Sequence, residues 1–69
     1  MPQAIGIHVH RGIASYVIQD ESVEIVRERL GVAVPDPNTA DDDLSIWALN
    51  AEGDWERVSS FNFDQNAWA

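Results

Sequence analysis

The chain has 69 residues and no cysteine, so its fold must be held without disulfides or thiolate metal sites. A chain of this length folds as one domain, predicted over residues 1–69, whose core alone contributes only about 3–5 kcal/mol. Domains of this size often add a metal ion or a second copy of themselves. With 45% hydrophobic residues and three tryptophans, the chain is not a disordered acidic tail.

Two adjacent segments near the N-terminus have the pattern of β-strands. Residues 4–10 alternate branched apolar side chains with glycine and histidine, which is typical of a strand with one buried face. The side predicted to be buried carries Ile5, Ile7 and Val9. Residues 13–18 are β-branched and aromatic enough for a second strand, and a helix from Gly12 onward is the alternative. As a strand the segment is apolar on both sides, which favours a position in the middle of the sheet. Gly12 supplies a tight turn between the two strands.

A helix is predicted after the second strand. Asp20 or Ser22 is a suitable N-cap, and acidic residues follow in the first turn. Apolar residues then recur at helical spacing and form the buried stripe: Val23, Val26 and Leu30. Gly31 is predicted to end the helix.

The second half of the chain predicts another hairpin. Residues 35–43 contain two prolines and four acidic residues and are predicted to form a loop. Strands are predicted over 44–49 and 55–60, with five residues including a glycine between them, and 64–69 form a C-terminal tail. The expected fold is a small α+β domain of order ββαββ, with one helix packed on a mostly antiparallel sheet.

The chain has twelve carboxylates, four arginines and no lysine, giving a net charge of −8. Such a surface repels nucleic acid directly and accelerates association with basic proteins. The acidic residues fall into three groups, on the helix, in the long loop and at the second hairpin. The third group is Glu52, Asp54 and Glu56.

The leading hypothesis is a non-enzymatic protein that engages a basic partner through these acids. Its most concrete form is an inhibitor of a nucleic-acid-binding protein that acts by nucleic-acid mimicry, as phage-encoded inhibitors do. The predicted partner-binding residues are Glu21, Glu24, Glu28, Asp41, Asp42, Asp43 and Trp68. Trp68 is included because a tryptophan so near the C-terminus can dock on its own sheet, on a second copy or on a partner.

An alternative hypothesis explains the same composition without a binding surface. A halophilic or GC-rich organism would also discard lysine, and the charge would then be an adaptation to solvent. The chain would be a small structural or assembly protein whose contacts run through its aromatic residues. A homodimer is expected in either case, because the core is small and the second strand is apolar on both faces.

The histidines give a third hypothesis, that of a metal-binding protein. His8 and His10 project from the same side of the first strand, so both imidazoles can reach one ion. They are weak metal candidates, because no acidic residue beside them in the sequence completes a site. We therefore expect no bound metal and no other cofactor. A pH sensor built on the same pair has still less support.

No catalytic motif supports an enzyme. The chain has no phosphate-binding loop. None of its hydroxyl residues stands in a nucleophile motif or beside an obvious base; they are Ser15, Ser22, Thr39, Ser45, Ser59 and Ser60. The chain also has no apolar run of membrane-spanning length and no basic, apolar leader. The expectation is a soluble, cytoplasmic protein that is not an enzyme and does not bind a membrane.

Overall fold

The computed structural model describes residues 3–69, so residues 1 and 2 of the predicted domain lie outside the described residues. Five antiparallel strands and one α-helix make up the fold, which confirms the predicted α+β class. The elements are β1 (Ala4–His10), β2 (Ile13–Asp20), α1 (Val23–Ala33), β3 (Asp42–Leu49), β4 (Trp55–Asn62) and β5 (Ala67–Trp68). They form one sheet in the order β2-β1-β3-β4-β5.

Both hairpins turn at glycines that adopt positive φ angles. Arg11 and Gly12 have φ angles of 53° and 80°, as a two-residue type I′ hairpin turn requires. In the second hairpin Gly53 has a φ angle of 85°, and the Asn50 side chain accepts the amide hydrogens of Glu52 and Asp54. The tight turn at Gly12 and the hairpin between residues 49 and 55 therefore occur where they were predicted.

Strand β2 lies at the edge of the sheet, so the prediction that it is central is wrong. Among residues 3–69 its only neighbour is β1, whose other edge pairs with β3. As a result β2 keeps apolar side chains in solvent, with Ile13 72% exposed and Val17 54% exposed. A strand with apolar residues on both sides can therefore lie at the edge of a sheet, because its outward apolar side chains can remain in solvent.

Helix α1 contacts β1, β2 and β3 and packs where β1 carries its smallest side chains. The core consists of Ala4, Val26, Leu30, Leu44 and Ile46. Gly6 lies beneath the helix, and a Cβ atom there would be 2.6 Å from Cγ1 of Val26. The prediction that Ile5, Ile7 and Val9 form the buried side of β1 is therefore wrong, because side chains alternate and these three point away from the helix.

The sheet surface that points away from the helix is called the open face below. By the pairing register it carries mainly apolar residues. They are Ile5, Ile7, Val9, Val17, Trp47, Leu49 and Trp55. Arg57 lies over the Trp47 ring at 5.6 Å from its centroid and covers part of this face. Trp55 is 43% exposed and Leu49 37%.

The helix begins as predicted and ends later than predicted. Ser22 is the N-cap, and its Oγ accepts the amide hydrogen of Ile25 at 3.2 Å. The helix continues through Gly31 to Ala33, where the amide of Val34 still donates to the Leu30 carbonyl. Gly31 keeps helical geometry because nothing at this position requires a positive φ angle.

The long loop and the C-terminal tail both contribute more to the sheet than predicted. Strand β3 begins at Asp42, so it includes the last two residues of the loop that was predicted over 35–43. The tail forms β5, in which Trp68 pairs with Phe61. No helix in residues 3–69 is long and apolar enough to cross a membrane.

Candidate functional site

Pairing of β1 with β3 brings both histidines against one carboxylate. His10 lies opposite Asp42 across the strands, and His8 lies two residues along on the same side. Oδ1 of Asp42 is 2.8 Å from Nε2 of His8 and 2.9 Å from Nδ1 of His10. The side chains of Asp42 and His8 are only 9% and 13% exposed, whereas that of His10 is 47% exposed.

The Asp42 carboxylate forms hydrogen bonds with both histidines and with one backbone amide. The backbone amide of Asn38 donates to Oδ2 at 2.7 Å, which leaves Oδ1 facing the two imidazoles. Hydrogen bonds from His10, from the Asn38 amide and from His8 hold the pKa of Asp42 well below its usual range. Asp42 is therefore a fixed anion at neutral pH.

A β-bulge places a serine on the other nitrogen of His8. The register of β1 and β2 shifts between His8 and Val9, and Ser15 is the extra residue on β2. Its Oγ lies 2.8 Å from Nδ1 of His8. A bulge redirects a side chain in this way, and it brings Ser15 to a basic group that the sequence did not indicate.

Ser15, His8 and Asp42 are thus linked by hydrogen bonds in the order nucleophile, base and acid, as in a catalytic triad.

Acyl transfer also requires donors for the developing oxyanion and a cavity for the substrate. A groove of about 400 Å³ between β2 and the helix is lined by Tyr16, Ile18, Glu28, Arg29, Val32 and Ala33. A second cavity of about 190 Å³ is lined by Gly31, Val34, Pro35, Pro37, Leu44, Phe61, Asn66 and Trp68. Neither cavity includes Ser15 or His8, so the triad order alone does not indicate an enzyme.

The same cluster has the composition of a metal site. One ligand atom from each of His8, His10 and Asp42 lies within 4.8 Å of the others. The acidic residue in this cluster is one that the sequence around the histidines does not indicate. Asp42 is 34 residues from His8, so only the pairing of β1 with β3 reveals the contact.

The structure separates the three consecutive acids that were predicted to act together. Asp41 forms an ion pair with Arg11, with Oδ1 at 3.5 Å from Nε. Asp42 faces the histidines, and Asp43 lies on the open face because side chains alternate along β3. Of the three, only Asp43 is an exposed acid without an ion pair among residues 3–69.

The helical acids are also fewer than predicted. Glu24 and Glu28 are exposed and lie one turn apart on α1. Glu21 precedes the N-cap, so it does not share their helical face. The second hairpin lies at the same end of the sheet as the start of α1, because Ala4 pairs with both Asp20 and Ala48. That end therefore combines Glu24 with the acids of the hairpin.

Eight acidic residues are exposed and form no ion pair within residues 3–69. They are Glu24, Glu28, Asp36, Asp43, Glu52, Asp54, Glu56 and Asp64. Each arginine already contacts a group of its own chain. Arg11 and Arg29 pair with Asp41 and Asp20, while Arg27 and Arg57 lie over tryptophan rings.

Trp68 docks on its own sheet. Its ring lies edge-on to Phe61, with centroids 5.7 Å apart, and the guanidinium of Arg27 lies 6.0 Å from the Trp68 centroid. It packs against the buried core and remains partly exposed. Of the three docking surfaces considered for this residue, the structure shows the intramolecular one.

Comparisons with protein-family models, with curated proteins and with solved structures find no match to this chain. The geometry of its own residues is therefore the basis for any functional argument.

Proposed function

We propose that this protein is a non-enzymatic acidic binding protein that engages a basic protein partner. The supporting observation is the set of eight exposed acids without ion pairs, on a chain whose four arginines all contact its own groups. A basic partner would supply the missing positive charges, and long-range attraction would accelerate its approach. A ββαββ core with the helix packed on one face would hold these acids in fixed positions.

The binding surface we propose consists of Glu24, Glu28, Glu52, Asp54 and Glu56, and is called the acidic surface below. Its members lie on the exposed side of α1 and around the second hairpin. Asp41 and Asp42 are left out because each is engaged within the chain. Glu21 and Asp43 would contribute at most to the long-range field, because neither lies on the helix or the hairpin.

Nucleic-acid mimicry is the most concrete form of this proposal. The molecule is 34 × 22 × 20 Å, and a duplex 20 Å long carries roughly 12 phosphates. The five carboxylates of the acidic surface are therefore sparser than the charges they would imitate. We expect a competitor that depends strongly on ionic strength and works by occupying a basic groove.

The experiment uses the immobilised chain to capture proteins from a host lysate, followed by affinity measurements on the captured partner. The Glu24→Lys/Glu28→Lys variant should lose most of its affinity, because each reversal adds repulsion as well as deleting attraction. Affinity should also fall steeply between about 50 mM and 200 mM salt. Duplex DNA should displace the chain from the partner if both use one groove.

The matched control is Asp36→Lys/Asp64→Lys, which changes the net charge by the same amount at two other exposed, unpaired acids. It should bind nearly as well as the wild-type protein. Equal losses in the two double variants would show that only the net charge matters. Binding that survives the helix reversals and high salt would refute the proposal.

The open face favours a second candidate, the structural or assembly protein. Seven apolar residues project from it, and Val17 of the edge strand is more than half exposed. Exposed apolar patches of this kind mark protein interfaces, and an unpaired edge strand can extend a sheet into a second copy. Under this candidate the charge is an adaptation to solvent and the contacts are apolar.

A further inference from the structure

We propose that His8, His10 and Asp42 form a binding site for one divalent first-row transition-metal ion, such as Zn²⁺. Each residue supplies one ligand atom, and these atoms lie within 4.8 Å of one another. Two imidazoles and one carboxylate form a donor set that zinc sites use. This proposal replaces the expectation of no metal, and it does not depend on the proposed partner binding.

The ligand atoms require only small movements to bind an ion. Bond lengths of about 2.0–2.2 Å in a tetrahedral site place neighbouring ligand atoms about 3.4 Å apart. Oδ1 of Asp42 is now 2.8 Å and 2.9 Å from the two histidine nitrogens, so it must withdraw by roughly half an ångström. The two histidine nitrogens lie within 4.8 Å of each other and must approach to about 3.4 Å, a movement for which the exposed His10 side chain has room.

Groups behind two of the three ligands, Asp42 and His8, already fix their orientation. The Asn38 amide holds Oδ2 of Asp42 and leaves Oδ1 directed at the histidines. Ser15 Oγ lies on Nδ1 of His8, so Nδ1 can carry the proton and Nε2 can present its lone pair to the ion. Metal-ligating histidines almost always have such a partner on the other ring nitrogen. The bulge that places Ser15 here gives this site a second layer of support.

The ion would keep one coordination position open to solvent. Three protein ligands leave one position of a tetrahedral ion for water or an external ligand. His10 is 47% exposed, so the ion would be accessible from solvent. The absence of thiolates favours Zn²⁺, Ni²⁺ or Cu²⁺ over ions that prefer sulfur, and a hard ion such as Mg²⁺ would not select the imidazoles.

The test is isothermal titration calorimetry of the full, untagged chain with ZnCl₂ after treatment with EDTA. We expect saturation at one Zn²⁺ per chain. His10→Gln and Asp42→Asn should each lower the affinity at least tenfold, and Ser15→Ala should lower it about tenfold through His8. His10→Gln is the safer variant for folding because His10 is the most exposed ligand.

Asp43→Asn is the matched control, since it removes the same charge from the next residue, which lies on the opposite face of the sheet. Its zinc affinity should stay within about twofold of the wild type, because Asp43 cannot reach the ion. Equal losses for Asp42→Asn and Asp43→Asn would show non-specific attraction and overturn the proposal.

Histidine NMR of the wild-type chain tests the proposed zinc site even if Asp42→Asn does not fold. Histidine side-chain NMR should show both ring systems shifting together as one equivalent of Zn²⁺ is added. Signals of His10→Gln should show no saturable shift of His8 over the same range. Titrations that leave the His8 and His10 resonances unchanged, or that never saturate, would overturn the proposal.

Discussion

The closest approach between the helix and the sheet depends on Gly6, and replacing it by alanine tests the packing directly. A Cβ atom at this position would lie 2.6 Å from Val26 Cγ1, 3.2 Å from Ile18 Cγ2 and 3.4 Å from Leu30 Cδ2. Carbon atoms pack at about 3.5–4.0 Å, so α1 and β1 must separate by roughly 1 Å at Val26. Val26 cannot avoid the contact cheaply, because its branched side chain is short and fully buried.

The expected loss of stability follows from two opposing effects. Overpacking a core typically costs about 1–3 kcal/mol, while replacing glycine by alanine restricts the unfolded chain and returns about 0.4–1 kcal/mol. The net loss should be about 0.5–2 kcal/mol. A domain of 69 residues has a free energy of unfolding of roughly 3–10 kcal/mol, so this is a substantial fraction.

Equilibrium unfolding in urea measures the effect. With a slope near 1 kcal/mol/M, Gly6→Ala should lower the midpoint by roughly 0.5–2 M at an unchanged slope. Gly31→Ala is the matched control, because a Cβ atom there meets nothing within 4 Å inside a helix, and it should raise stability by about 0.4–1 kcal/mol. In a double-mutant cycle, Val26→Ala should reduce the cost of Gly6→Ala. A Gly6→Ala midpoint at or above that of the wild type would refute this packing.

Two further predictions concern acid stability and self-association. The lowered pKa of Asp42 means that its stabilising contribution is complete above the unfolded value of about 3.9 and is lost as pH falls toward the folded value. In EDTA, urea unfolding from about pH 5 to about pH 2 should therefore show a larger loss for the wild type than for Asp42→Asn, and equal losses would contradict this. Sedimentation at micromolar to millimolar concentration should show a homodimer that Val17→Glu on the open face disrupts and that Val32→Glu on the helix leaves intact. A single-chain mass throughout would count against the dimer.

Much of the fold could be predicted because it depends on local patterns. Period-two alternation, the glycine turns and the Ser22 cap each lie within a few residues of the element they specify. The position of β2 could not be predicted in this way, because it depends on which strand pairs with the other edge of β1. That pairing joins residues such as Ile5 and Trp47, which are far apart in the sequence, and neither local pattern indicates its partner.

The candidate metal site shows the same division between local and distant information. Alternation placed His8 and His10 on one side of β1, and the structure agrees. The sequence predicts Asp42 in a loop and on a partner surface, because three consecutive aspartates after two prolines are typical of a solvated segment. The carboxylate reaches the histidines only because β3 begins at Asp42, opposite His10.

The position of the site follows from which side of β1 the helix covers. Alternation groups Ala4, Gly6, His8 and His10 on one side but does not say whether that side is buried. The small side chains at Ala4 and Gly6 allow the close approach of α1, so the helix covers the half of β1 that carries them. The same side continues past this covered half to the histidines, where the loop before β3 contributes Asn38 and the first residue of β3 is Asp42. One face of β1 therefore carries buried residues at its start, Ala4 and Gly6, and the polar cluster of His8 and His10 at its end. The packed core beside the cluster supports it on a rigid strand.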